Sequence, residues 1–119
     1  EWGLTVEVEA PERIDVAPRL AHDLCRLVNE SLSNAARHGG ASRAVVSATN
    51  RDGSVELRIR DNGRGFPFSG RHDLAALELA GHGPRTLKER VRNLGGLLFV
   101  ESSGAGATID VRIPLQEAH

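Results

Sequence analysis

The apolar period of this chain switches repeatedly between two and 3.6 residues, and the order of the switches restricts the folds open to it. In "LTVEVEA" (4–10) Leu4, Val6 and Val8 alternate with Thr5, Glu7 and Glu9, which predicts a strand. From about Pro18 to His38 the period is helical. Leu20, Leu24, Leu27, Val28 and Ala35 gather on one side, Pro18 suits a first turn, and Gly39-Gly40 ends the helix. "SRAVVSATN" (42–50) and "SVELRIRD" (54–61) read as strands joined at Arg51-Asp52-Gly53. Pro84 opens a second helix carrying Leu87, Val91 and Leu94, closed by Gly95-Gly96. "LLFVES" (97–102) and "ATIDVRIPL" (107–115) are strands around the turn "SGAGA" (103–107). Between Phe66 and His82 the chain reads as irregular, with "DLAALELA" (73–80) as a short helix. Helices with hairpins and no strict βαβ alternation predict an α+β fold, a two-layer sandwich with a largely antiparallel sheet. Its exposed sheet face should carry Glu56, Arg58, Arg60, Asp110 and Arg112.

With 119 residues the chain is one domain, 1–119, large enough for a single core. A net charge of −1 argues against a general nucleic-acid binder, which would carry a basic excess. The single cysteine, Cys25, excludes an internal disulfide and a cysteine-based zinc site and fits a reducing compartment; the expected location is cytoplasmic. It is read as a small core residue rather than a nucleophile. No stretch approaches the ~20 apolar residues of a membrane span, and no signal peptide opens the chain. The start in strand-like sequence without Met reads as a domain excised from a longer protein, which is either soluble or membrane-anchored.

The strand at 54–61 ends in an anomaly. Val55, Leu57 and Ile59 face inward, so parity places Asp61 on the same apolar face. Asn62-Gly63 suggests a hairpin turn, but no alternating run follows, only "RGFPFSGRHD" (64–73) with Pro67 removing a ladder donor. The strand therefore ends in a loop with an inward carboxylate at its mouth. A buried carboxylate needs a donor, which either the protein or a ligand supplies.

On the long helix Glu30, Asn34 and Arg37 stand at i, i+4 and i+7, sharing a stripe. A solvated polar face is one reading. The other is a magnesium site, since Glu30 and Asn34 offer hard oxygens one turn apart to an ion that takes its other ligands from water and phosphate. Three glycine loops accompany them: "DNGRGF" (61–66), "GHG" (81–83), which precedes a helix N-terminus that favours an anion, and "GAGAT" (104–108). Each alone is consistent with an ordinary turn.

Taken in order, "NESLSNAARHG", "DNGRGF", "GHGPRTLKERV", "NLGGLLFVES" and "GAGATIDVRIPL" resemble the N box, G1 box, G2 box and closing strands of the ATP-binding catalytic domain of sensor histidine kinases. The short G2 region running into "LKERV" looks most like the NarL/DesK-type subfamily, and the resemblance covers residues 3 to 115. It implies the Bergerat, or GHKL, fold, with Mg2+ and ATP bound between helices under a lid. By resemblance, Asp61 reads the adenine amino group, Asn34 is the magnesium ligand, and Glu30 acts through metal-bound water or as a base. Arg37 and His38 approach the phosphates. Gly63 and Gly65 shape the adenine end, Gly81, His82 and Gly83 the phosphate end, and Thr108 the sheet beneath the base. Pro84 stands where the family usually has Leu or Ile, and Leu74, Leu77 and Leu79 make the lid apolar, ready to fold onto the site or onto a partner.

The phosphoacceptor histidine of this family belongs to a separate dimerisation domain, and none of the five histidines here sits in such a context. His22 and His119 read as surface residues, His72 as a solvated lid residue. The expected activity is donation of the γ-phosphate to that separate histidine, for relay to a response regulator. An anti-sigma-type serine kinase, a GHKL ATPase and a non-catalytic interaction module stand as alternatives. Retention of Glu30, Asn34, Asp61 and the glycines counts against the last.

Overall fold

Pro18 enters the first helix, α1 (Pro18–Arg37), at a position whose N–H would have no helical partner, and His38 closes it by donating its N–H to the Asn34 carbonyl. The computed structural model describes residues 3–9, 16–81 and 85–115. Around α1 stand β1 (Thr5–Glu9), β2 (Arg43–Arg51), β3 (Ser54–Asp61), β4 (Gly70–Asp73), α2 (Leu74–Ala80), α3 (Arg85–Asn93), β5 (Leu97–Ser103) and β6 (Gly106–Pro114). The strands form one sheet in the order β1-β2-β3-β6-β5-β4. β1 runs parallel to β2 and all other pairs are antiparallel, as expected of a mixed, mostly antiparallel sheet.

Strand parity makes the core. Val55, Leu57 and Ile59 of β3, Leu98 and Val100 of β5, and Ile109, Val111 and Ile113 of β6 are buried on one face. Against them pack Leu24 and Leu27 of α1 with Leu87 and Val91 of α3, so the helices form one layer. The opposite face is polar, as predicted. There Arg58 (2.6 Å) and Arg71 (3.0 Å) share the Asp110 carboxylate, and Arg112 lies 3.6 Å from Glu56. Such pairs on a largely solvated face contribute little individually.

Some expectations are corrected. Cys25 is exposed, because the buried stripe of α1 runs through Leu24, Leu27, Ser31 and Ala35 and leaves Cys25 a helical step to the side. The segment expected to be irregular contains β4, whose His72 and Asp73 pair with Val100 and Phe99. Four residues are too few to show a period. β1 pairs with β2 in register, yet its Val8 is 68% exposed, because the helices pack over the strands further into the sheet. His72 is half-buried rather than solvated, edge-on to Phe68 at 4.8 Å. In α2, Leu77 is buried in the core and Leu74 is partly buried against that core, whereas Leu79 is 92% exposed. Pro84, expected to open α3, lies outside the described residues. Among the described residues no helix is long and apolar enough to cross a membrane.

Candidate functional site

A cleft of about 500 Å³ opens between the end of α1 and the ends of β3 and β6. Ser31, Asn34, Ala35 and His38 line it from α1 and its cap, and Asp61, Ala107 and Ile109 line it from the sheet. Gly65, Phe66 and Pro67 close one side, and Gly81 after α2 stands at another.

Asp61 is the last residue of β3, paired in register with Ala44 on one side and Ala107 on the other. The strand cannot continue as a hairpin because the next residues are engaged elsewhere. The Asn62 side-chain oxygen accepts the Ser42 (2.9 Å) and Arg43 (3.0 Å) amides, and the Arg64 amide donates to the Gly39 carbonyl (2.8 Å). This ties the loop to the end of α1. Gly63 packs so closely there that a Cβ would stand 2.7 Å from the Gly39 oxygen. From that position the Gly63 N–H donates to Asp61 Oδ1 at 2.8 Å.

The inward carboxylate is thus held by backbone, and among the described residues no cation pairs with it. Burial pushes the Asp61 carboxyl above the usual carboxylate range, while the Gly63 and Ala107 amides pull the other way. An acceptor pointed into an open cleft with its own ladder partly satisfied is a site prepared for a donor from outside.

The loop after Gly65 is fastened by a residue that motif reading missed. Ser102, 3% exposed, accepts the Phe66 N–H at 2.6 Å and donates to the Phe66 carbonyl at 3.3 Å. The parity of Leu98 and Val100, extended by two, points to it. Ser102→Ala should leave that N–H unpaired, costing about 1–2 kcal/mol. The expected result is a melting temperature lowered by several degrees; an unchanged melting curve would show that the hydroxyl does not hold the loop.

The predicted stripe on α1 divides. Asn34 and His38 line the cleft, whereas Arg37 is exposed outside it. Glu30 is also absent from the lining; its Oε1 instead accepts from Arg90 Nε of α3 at 3.3 Å. Thr108 is corrected too. It pairs in register with Arg60 and Glu101 and shares the outer face with them, while its neighbours Ala107 and Ile109 face the cleft. The parity that identified Asp61, applied to β6, selects Ala107. His82 and Gly83 lie outside the described residues.

A helix layer on a mixed sheet, with a glycine-rimmed cleft where an N-box-like helix meets the strand ends, defines the class of histidine-kinase ATP-binding sandwiches. Solved structures agree. The Erythrobacter litoralis EL346 blue-light activated histidine kinase superposes with a TM-score of 0.75 at 25% identity, over 95% of this chain and 36% of that one. The ATP binding domain of PrrB from Mycobacterium tuberculosis gives 0.70 at 29% identity, over 97% of this chain and 82% of that one.

The chain belongs to the family described as "Histidine kinase-, DNA gyrase B-, and HSP90-like ATPase", whose profile matches residues 20–117. Among curated relatives, sensor histidine kinase MctS of Rhizobium johnstonii is 31% identical over 94% of this chain, and sensor histidine kinase YhcY of Bacillus subtilis 35% over 80%. The chain spans 24% of the length of each.

Proposed function

We propose that this chain is the ATP-binding catalytic domain of a longer sensor histidine kinase. It binds Mg-ATP and presents the γ-phosphate to a histidine of a separate dimerisation domain, for relay to a response regulator. The observation that carries the reading is Asp61, a half-buried acceptor at the sheet end of the cleft, held by Gly63 and left facing the space. Adenine brings a matching donor in its exocyclic amino group; guanine brings a carbonyl at that place and would set acceptor against acceptor.

The residues present fit the remaining groups. Asn34 offers a hard amide oxygen in the cleft, suited to magnesium, which takes its other ligands from water and phosphate. His38 and Gly39 stand where α1 ends, on the same cleft, and contribute positioning of the phosphates. Bound magnesium would neutralise phosphate charge as it develops, the main requirement of phosphoryl transfer. Phe66 and Pro67 exclude water from one wall. A cytoplasmic placement, where ATP is supplied, belongs to the same reading, with the parent protein soluble or membrane-anchored.

Calorimetric titration of the chain with Mg-ATP and Mg-GTP tests the proposal: ATP should bind and GTP should bind at least tenfold more weakly. No heat with ATP, or equal affinities, would sink it. With labelled ATP alone the chain should remain unlabelled, while a supplied dimerisation domain should acquire acid-labile phosphate. Acid-stable label on a serine would point instead to the serine-kinase alternative. Asn34→Ala should remove the dependence of nucleotide affinity on magnesium and leave the circular dichroism spectrum unchanged. A variant retaining the parental preference for Mg-ATP over metal-free ATP would move the metal role elsewhere.

A further inference from the structure

Glu30 lies one helical turn before Asn34 on α1, yet only Asn34 reaches the cleft. Glu30 meets Arg90 instead. The Arg90 Nε donates to Glu30 Oε1 at 3.3 Å, joining α3 to α1 across a sequence gap of 60 residues, with the two side chains 25% and 21% exposed. On the same helix Arg92 pairs with Glu78 of α2. α3 is therefore tied by charge on one flank to the helix that lines the cleft and on the other to the helix that ends at Gly81. Resting on the Mg-ATP reading above, we propose that Arg90 is a positioning residue that withholds the Glu30 carboxylate from the cleft and so sets how strongly magnesium assists nucleotide binding.

Arg90 holds one of the two Glu30 oxygens, so turning the carboxylate toward a metal-bound water in the cleft would stretch or break that contact. The pair is only partly exposed, so water replaces Arg90 incompletely, and the competition is felt as reduced metal dependence. Release of α3 from α1 would free Glu30.

The test compares the affinity of the chain for ATP with magnesium and for ATP with a chelator, in the parent, Arg90→Gln, Arg90→Lys and the double variant Arg90→Gln/Glu30→Gln. Arg90→Gln should widen the ratio of Mg-ATP to metal-free affinity by roughly three- to tenfold while metal-free affinity stays at the parental value. Arg90→Lys should restore the parental ratio, and the widening should vanish in the double variant. A purely structural role would lower both affinities together, in step with a lower melting temperature, and would overturn the proposal. An unchanged or narrowed ratio overturns it too, as does a widening that persists without Glu30. If the parent binds no ATP, the nucleotide reading fails and takes this inference with it; if the parent binds but the ratio does not move, only this inference fails.

Discussion

Asp61→Asn is expected to weaken ATP binding by at least tenfold while leaving the fold as stable as the parent or more so. The amide oxygen can still accept the Gly63 N–H that now reaches Oδ1 at 2.8 Å. That leaves the amide nitrogen, a donor, facing the adenine amino group, also a donor. A hydrogen bond to a buried charged group is worth about 1.5–3 kcal/mol, and 1.4 kcal/mol is tenfold in affinity.

The stability half follows from the raised carboxyl. Because burial lifts the folded-state value above the ordinary 3.8, the folded protein disfavours the ionised form. Well below 3.8 the group is neutral in both states and contributes nothing. As pH rises through the unfolded and then the folded value, ionisation costs the fold stability. The variant escapes this, so its melting temperature relative to the parent should improve from acid toward neutral pH. Calorimetry and thermal melts across that range check both halves. Parental ATP affinity in the variant would remove the adenine role from Asp61; a variant clearly less stable at neutral pH would show that the charge is compensated by more than the Gly63 and Ala107 amides.

Gly65→Ala should be the more damaging change to the fold. Gly65 has φ +80°, and a Cβ there would lie 2.4 Å from the Ser103 carbonyl oxygen and 2.5 Å from Ser102 Oγ. The first is backbone and cannot rotate away. Strain of this kind costs on the order of 1–3 kcal/mol, and displacing Ser102 also releases Phe66, for a total of about 2–4 kcal/mol. For a domain of this size that is a loss on the order of 10 °C in melting temperature. ATP affinity should fall with it, since Gly65, Phe66 and Pro67 all line the cleft. A variant that melts with the parent would show that the loop has another conformation available at no cost.

Both predictions rest on a loop that was legible only in part. Parity along Val55, Leu57 and Ile59 was enough to turn Asp61 inward, because a strand alternates strictly and its final residue obeys the same rule. The same rule, carried along β5 and β6, selects Ser102 and Ala107, whereas reading by motif favoured Thr108, which faces the other way. Helical stripes were less decisive. Glu30, Asn34 and Arg37 share a side of α1 by spacing, but spacing says nothing about what stands opposite, and an arginine 60 residues away engages one of the three.

Local periodicity by itself therefore determined the helices, the long strands and the inward carboxylate, because each depends only on neighbours in the chain and on which face must leave water. β4 depended on tertiary structure: it has too few residues for a period and exists through its ladder with β5. So did the exposure of β1, an edge strand beyond the reach of the helix layer. The cleft itself was decided at the same level. Its walls come from the end of α1, the ends of β3 and β6, and a loop pinned by Ser102, and these meet only when pairing between residues distant in sequence brings the strand ends under the helix.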